Sequence, residues 1–334
     1  MGGSGSGGAR PVAGGLWPAG GAVDRADKAL SLPAFTLELP APIEWALSVP
    51  GVWFGVPLYA LLTLPLLQAA LAADAGAALP ALAGAVLLAS LAQWFGVLRA
   101  AQALQDPAGE AAAAAVGSVY QPGGKRLSPL VFLLAPHAAL ALCRAAGGGE
   151  RAVHTACFAQ ASWLLVQGFV ALGKRTFQRE RPVAAAVLRP RLAKVHRHLP
   201  ALQAMLRHPS TVLSSFPSGD VAGACGWALA GAHSLGGRYG ALWLGGLGGS
   251  ALGRLFFHAH HLLDVSTGAA AAVLGVALAA AAAGSPFTLL AASGAAPAAP
   301  IVPGWGHARL GGCQLLFVIV FLASERLVSK EARH

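Results

Sequence analysis

Eight long apolar stretches set the strongest limit on how this 334-residue chain can fold. They lie near 51–73, 77–98, 128–144, 155–173, 219–236, 239–257, 262–283 and 310–323, of which the last is short and is expected to insert only partly. Because a helix of roughly 17–25 apolar residues crosses the hydrocarbon core of a bilayer, stretches of this length predict membrane-spanning helices. Charged residues make up only 11% of the chain, less than half of the about 25% that is usual in a soluble domain. The sequence therefore predicts an all-α fold, a polytopic membrane helix bundle with about six to eight transmembrane helices.

Composition divides the chain into four parts. Residues 1–30 are rich in Gly, Ala and Pro and bury too little apolar surface to fold, so we expect them to be disordered. We assign 1–50 to this disordered N-terminus with an interfacial segment, and 51–150 to N-terminal transmembrane helices. A core that carries the polar motifs follows at 151–285, and a C-terminal transmembrane helix and tail occupy 286–334.

The charge balance limits the classes of partner. Lys and Arg number 23 against 13 Asp and Glu, a net charge of +10, which suits nucleic acid, an anionic membrane surface or a phosphorylated substrate. Most of the chain is predicted to lie in lipid, so we expect no nucleic-acid partner. The cysteines form no CxxC motif and indicate packing residues rather than a disulfide framework or a zinc site.

Three polar motifs lie at the ends of consecutive apolar stretches. Lys174 and Arg181 form K-x6-R-P directly after the fourth stretch, and Pro-Ser-Gly at 217–219 opens the fifth. The third motif, R-x5-H-x3-D at 254–264, joins the sixth stretch to the seventh. Since successive spans cross a bilayer in opposite directions, all three motifs are predicted to meet on one side.

The third motif carries the clearest chemistry. His260 and Asp264 are four residues apart and share one face if the segment is helical. The carboxylate then holds one imidazole nitrogen protonated and leaves the other as a nucleophile or base. Arg254 reaches the same point only if the chain bends between Arg254 and His260.

The other two motifs add groups that bind anions. Pro-Ser-Gly at a helix start offers N–H groups, a hydroxyl and the positive end of a helix dipole, although an ordinary serine cap has the same sequence. Lys174 and Arg181, taken alone, are also consistent with cations that snorkel at a helix end. Together the motifs describe a pocket for a multiply charged oxyanion.

At these residues the chain resembles the type 2 phosphatidic-acid phosphatase superfamily, which also contains bacterial acid phosphatases and vanadium haloperoxidases. The family pattern is K-x6-R-P, then P-S-G-H, then S-R-x5-H-x3-D, and the resemblance covers residues 155–283, approximately. It implies a phosphatase core in the C-terminal half, of the integral-membrane lipid phosphate phosphatase branch. The haloperoxidase branch is disfavoured because this chain is predicted to be embedded in the membrane.

The resemblance also implies a role for each matching residue. His260 attacks phosphorus to form a phosphohistidine, Asp264 orients His260, and water hydrolyses the intermediate without a metal or other cofactor. Asp220 is the third candidate catalytic residue. The candidate phosphate-binding residues are Lys174, Arg181, Ser218, Gly219 and Arg254.

Two positions depart from the family pattern. Gly253 replaces a serine, which removes one hydrogen bond. Asp220 replaces the histidine that is expected to protonate the leaving alkoxide, and an aspartate has an ordinary pKa of about 3.9. Either burial keeps Asp220 protonated, or His258 or His261 takes its place, or the leaving group needs no acid, as with a diphosphate.

We therefore expect a multi-pass membrane hydrolase of lipid metabolism that acts on a lipid phosphate or a prenyl diphosphate, with membrane lipids around it. Its compartment is the endoplasmic reticulum or another endomembrane if the source is eukaryotic. Two alternatives stay open: a non-catalytic relative that binds lipid phosphates, which the Asp220 departure supports, and a lipid phosphotransferase, in which another hydroxyl intercepts the phosphohistidine. The lipid, the membrane face and the oligomeric state are open as well.

Overall fold

The computed structural model describes residues 16–48, 150–182, 213–235, 248–282, 284–285 and 309–320. Regular structure in these ranges is helical, without a strand, which confirms the predicted all-α class for this part of the chain. The helices are α1 (Ala22–Thr36), α2 (Ala41–Ser48), α3 (Glu150–Phe177), α4 (Gly219–Leu235), α5 (248–256), α6 (Leu262–Ala282) and α7 (Arg309–Val320).

Helices α3, α4 and α6 pack against one another. Gly275 of α6 approaches α3 so closely that an added Cβ would lie 2.5 Å from Val166 Cγ2 and 3.0 Å from the Val166 nitrogen. Only a glycine fits at this crossing, and small residues generally let membrane helices approach. Large apolar side chains, among them Trp163 and Phe317, are buried in the core around these helices. The packing brings the end of α3 and the starts of α4 and α6 together.

Helix α6 has the length and composition of a membrane span. It has 21 residues with a mean hydropathy of 1.9, enough to cross the hydrocarbon core. Helix α7 is apolar but shorter, and α6 is the one helix in the described ranges that meets both requirements. Helices α3 and α4, which correspond to the predicted spans at 155–173 and 219–236, do not meet both requirements. The predicted spans at 51–73, 77–98 and 128–144 lie outside the described ranges, so the predicted helix count stays a prediction.

Residues 22–36 form α1, so the predicted disorder of residues 1–30 is wrong for this segment. Helix α1 buries one mostly polar stripe, Asp24, Asp27, Ser31 and Phe35. Composition was misleading because the groups that stabilise α1 are polar and bind partners far along the chain. Residues 1–15 lie outside the described ranges.

Candidate active site

The three motifs meet around the loop of residues 213–218, which precedes α4. Lys174 Nζ, near the end of α3, donates to the Ser214 carbonyl at 2.5 Å. Arg181 donates through Nη2 to the Ser214 carbonyl at 3.4 Å and to Ser214 Oγ at 3.3 Å. Its Nη1 donates to the Ala259 carbonyl at 2.8 Å, in the turn between α5 and α6. Arg181 therefore ties the loop before α4 to the turn that carries the third motif.

His260 is buried beside Arg181. The residue is 1% exposed, and its Nε2 lies 3.2 Å from Arg181 Nη1. Burial lowers the pKa of His260 to about 3, and the charge of Arg181 acts in the same direction. Burial and the charge of Arg254 lower the pKa of Arg181 to about 10, so the guanidinium is protonated at neutral pH. The imidazole is therefore neutral, which is the form in which its nitrogen attacks an electrophile.

Asp264 is held by groups other than His260. Arg179 Nη1 donates to Oδ1 at 2.7 Å, while Oδ2 accepts from the Ser215 hydroxyl and, at 2.8 Å, from the His261 N–H. His260 Nδ1 lies 3.7 Å from Oδ2, which is longer than a hydrogen bond. Catalytic hydrogen bonds are often long before substrate binds. The carboxylate thus lies beside the His260 imidazole without a hydrogen bond to it, and His261 Nδ1 lies 3.5 Å from the same oxygen.

The Pro-Ser-Gly motif forms the N-terminal end of α4, as predicted. Helix α4 begins at Gly219, and the Ser218 N–H donates to the Asp264 carbonyl at 2.9 Å, which joins the loop to α6. Ser218 Oγ is buried and has no hydrogen-bond partner among the described residues. The start of α4 therefore suits an anion, whose oxygens can accept hydrogen bonds from the backbone N–H groups of the helix and from the Ser218 hydroxyl.

Arg254 lies at the site because the chain turns after α5. The N–H groups of Ala259 and His260 both donate to the Arg254 carbonyl, at 3.0 and 3.2 Å, and this is the bend that the motif requires. The Arg254 side chain pairs with Asp220, with 2.5 Å between Nη2 and Oδ2. The ion pair favours the carboxylate form of Asp220. Asp220 therefore has no proton to give in this arrangement.

Three cations surround the meeting point of the motifs. Lys174, Arg181 and Arg254 are close enough for their charges to affect one another, and burial together with the charge of Arg181 lowers the pKa of Lys174 to about 7. Lys174 is therefore only partly protonated at neutral pH in the absence of an anion. Both arginines are less than a tenth exposed. Within the described ranges, no group of three or more His, Cys, Asp or Glu side chains is arranged to hold a metal ion. Buried like charges repel until an anion joins them, so the arrangement suits a ligand with several negative oxygens.

His258 and His261, the alternative acids, lie on the side of the turn that packs against α1. His258 has a φ of 57°, a left-handed conformation that is uncommon outside glycine, and its Nε2 lies 3.1 Å from the Phe35 carbonyl. The Phe35 ring packs against both imidazoles, with centroid distances of 5.1 and 5.9 Å. Both side chains therefore help to pack α1 onto the site.

Arg179 is a residue of the site to which sequence reasoning assigned no role. It is 2% exposed and pairs with Asp264 of α6 and with Asp24 and Asp27 of α1. The available signal was the spacing of Asp24, Asp27 and Ser31, which places them on one face of a helix. The sequence alone does not show that this face belongs to a helix that packs on the site, so it does not identify Arg179 as the partner.

Comparison with known families agrees with the motifs. The family model of the PAP2 superfamily, the type 2 phosphatidic-acid phosphatases, matches residues 155–288. The matched segment contains all of the candidate site residues predicted from the sequence, and the match suggests phosphatase activity. No curated protein and no solved structure matches the chain. The chain therefore carries, over residues 155–288, a region of the PAP2 superfamily, as its motifs predict.

Proposed function

We propose that this chain is an integral-membrane phosphatase that hydrolyses a lipid phosphate or lipid diphosphate through a phosphohistidine at His260. The observation that carries the proposal is the buried, neutral imidazole with its Nε2 3.2 Å from Arg181. Lys174 and Arg254 add positive charge beside it, and the start of α4 adds N–H donors. A nucleophile thus lies next to the groups that bind phosphoryl oxygens.

The first step forms the phosphoenzyme. The phosphoryl oxygens accept hydrogen bonds from the three cations and from the Gly219 N–H, so Arg181 moves its hydrogen bond from the imidazole to the substrate. His260 Nε2 attacks phosphorus with its lone pair, while the bond from phosphorus to the leaving oxygen breaks and that oxygen keeps the electron pair. Positive charge develops on the imidazole, and Asp264 stabilises it through the Nδ1–H.

The second step restores the enzyme. A water oxygen attacks phosphorus, the bond from phosphorus to Nε2 breaks, and the electron pair returns to the imidazole. The water gives one proton to solvent, and inorganic phosphate leaves. His260 is then neutral again, with Asp264 beside it.

The ion pair between Asp220 and Arg254 supports a diphosphate substrate. An alkoxide leaving group needs a proton, and a carboxylate that pairs with an arginine has none to give. The lipid monophosphate that leaves a diphosphate spreads its charge over several oxygens and departs without an acid. We therefore place a lipid diphosphate, such as a prenyl diphosphate, ahead of a phosphomonoester.

The position of the site supports a lipid substrate. Helix α6, which is long and apolar enough to cross a bilayer, begins at Leu262, two residues after His260. The nucleophile therefore lies at the end of an apolar helix, where a bilayer gives way to water. A phosphate headgroup reaches this level while its hydrocarbon tail stays in the membrane.

Phosphate release by the detergent-purified full-length chain, with EDTA present, tests the proposal. The substrates are phosphatidic acid, a sphingoid-base phosphate and a prenyl diphosphate. We expect the fastest turnover on the diphosphate, its loss in His260→Ala, and an alkali-stable phosphoenzyme after quenching. His154→Ala, which changes a histidine of α3 outside the site, is the matched control.

Two other results would favour the alternatives. A folded parent protein that binds these lipids but releases no phosphate would favour the non-catalytic relative. Faster transfer of the phosphoryl group to an added alcohol than to water would favour the phosphotransferase.

A further inference from the structure

Helix α1 presents a polar face to the catalytic turn and an apolar face outward. Asp24, Asp27 and Ser31 are 1%, 6% and 1% exposed, whereas Val23 and Leu30 are 59% and 66% exposed. A surface helix of a soluble protein has the opposite arrangement. Burial of two carboxylates is costly unless they are paired, so their partners explain why α1 lies here.

Arg179 joins this polar face to the candidate catalytic carboxylate. Its Nη2 lies 2.6 Å from Asp27 Oδ2 and 3.1 Å from Asp24 Oδ1, and its Nη1 lies 2.7 Å from Asp264 Oδ1. The Trp17 ring covers the guanidinium at 4.1 Å, and Trp17 Nε1 donates to Asp24 Oδ1 at 3.0 Å. Three carboxylates from two helices thus share one buried arginine.

Helix α1 also caps the helix that carries Asp264. Leu262 and Leu263 supply the first N–H groups of α6, which have no acceptor within their own helix. The Leu262 N–H donates to Ser31 Oγ at 2.8 Å, and the Leu263 N–H donates to Asp27 Oδ1 at 2.7 Å. Serine and aspartate oxygens are preferred acceptors at a helix start. Here they come from residues 231 and 236 positions away.

We propose that α1 is a positioning element of the active site. Its two aspartates, acting through Arg179, hold Asp264 and the first turn of α6 in the geometry that His260 requires. The inference rests on the proposed function, because it concerns the same site. The α1 aspartates reach the site through Arg179 and α6, so they are positioning residues and not catalytic ones.

The sharing of Arg179 also sets the negative charge that Asp264 offers to His260. A guanidinium paired with Asp264 alone would offset that carboxylate and weaken its support for the positive charge on the imidazole. Asp24 also pairs with Lys28, at 2.7 Å, so Asp27 is the α1 carboxylate that mainly offsets the arginine charge and leaves Asp264 more of its own. Asp27→Asn keeps the shape and removes the charge, and its one amide oxygen accepts from the Leu263 N–H or from Arg179 but not from both.

Single-turnover kinetics of the detergent-purified full-length chain with a prenyl diphosphate test the proposal. In Asp27→Asn we expect the rate constant of phosphoryl transfer to fall about tenfold or more, with an unchanged amplitude and a KM within about twofold of the parent. Asp27→Glu restores the charge and should recover part of the rate. Glu38→Gln makes the same charge change at an exposed carboxylate just beyond α1 and should behave like the parent.

A merely structural role for α1 gives a different result. The single-turnover amplitude would then fall with the fraction of folded protein, while the rate constant stayed at the parental value. That outcome would overturn the proposal. An Asp27→Asn protein with both parental rate and parental amplitude would overturn it too.

A thermal-unfolding cycle tests the link from α1 to Arg179 independently of turnover. Asp27→Asn and Arg179→Gln each remove the same ion pair, so their effects on the unfolding midpoint should be less than additive. Additive effects would overturn the link. If the parent releases no phosphate from any substrate, the proposed function has failed and the positioning role fails with it, whereas this cycle still tests the link from α1 to Arg179.

Discussion

Arg254 and Asp220 form an ion pair at the start of α4, with 2.5 Å between Nη2 and Oδ2. The motif resemblance implies that Arg254 binds the phosphoryl oxygens and that residue 220 protonates the leaving group. In the structure, which holds no substrate, these two side chains bind each other instead. The Asp220 side chain is 28% exposed and the Arg254 side chain 9%, so the pair lies at the edge of the buried site. A phosphoryl group that binds Arg254 therefore competes with Asp220 for the guanidinium.

Asp220→His restores the residue type of the family motif and should change the substrate preference. An imidazolium supplies the proton that an alkoxide needs, so we expect kcat/KM for phosphatidic acid to rise at least about tenfold relative to that for a prenyl diphosphate. Measurement of both constants in the parent and the variant checks this.

Asp220→Asn is the control for the change at residue 220, because it releases Arg254 without supplying an acid. It should keep diphosphate turnover and lower the KM. Loss of diphosphate turnover in Asp220→Asn would contradict the assignment, because Asp220 would then be the acid.

Gly268 of α6 sets the distance between α6 and the loop before α4. An added Cβ would lie 2.5 Å from the Ser218 carbonyl oxygen and 3.3 Å from the Ala222 nitrogen. Both are backbone atoms, so Gly268→Ala should destabilise the fold by about 1–3 kcal/mol and lower kcat as Ser218 moves. Thermal unfolding in detergent and phosphate release measure the two effects.

Gly312→Ala is the matched control for Gly268→Ala, since nothing lies within 4 Å of a Cβ at Gly312 in α7. It should leave the unfolding midpoint unchanged or slightly raised, because alanine favours a helix more than glycine does. Equal effects of the two substitutions would show that the close approach at Gly268 does not matter.

The candidate site could be predicted because its residues lie in short motifs with fixed spacing. The sequence predicts the start of α4 at Gly219, whereas it gives the bend between Arg254 and His260 only as a condition. Both are present in the structure. The ion pair between Arg254 and Asp220 could not be predicted from the sequence. Spacing gives the region that a side chain reaches, whereas the choice among nearby partners depends on three-dimensional packing.

The role of α1 could not be predicted from the sequence. Asp24 lies 155 residues from Arg179, and an ion pair over that distance leaves no local pattern. The Gly, Ala and Pro content around α1 also indicated disorder, since the polar face of the helix is stabilised by a distant arginine rather than by apolar burial. The count of membrane spans depends largely on residues outside the described ranges.

Arg181→Lys keeps a positive charge but loses the planar fork of the guanidinium. Arg181 uses Nη1 for the Ala259 carbonyl and Nη2 for Ser214 while it lies beside His260, and a lysine has one nitrogen for all of these positions. We expect kcat/KM to fall about 10²–10³-fold on every substrate. Phosphate release measures this, with Arg309→Lys, at an exposed arginine of α7, as the control that keeps parental activity. Parental kcat/KM in Arg181→Lys would remove Arg181 from the site.

Burial of His260 predicts a pH dependence of stability. Burial and the charge of Arg181 lower its pKa from 6.5 to about 3, so between these values the unfolded chain binds a proton that the folded chain does not. The free energy of unfolding should therefore fall as the pH drops below about 6.5, by at most about 1.4 kcal/mol per pH unit from this group. His260→Gln does not titrate and lacks this contribution. In thermal unfolding from about pH 7 to about pH 4, the parent should lose more stability than His260→Gln, because other acid-sensitive groups cancel in the difference. Parallel curves would mean that the folded imidazole titrates near its ordinary pKa and is partly charged at the pH of catalysis, which would weaken its assignment as the nucleophile.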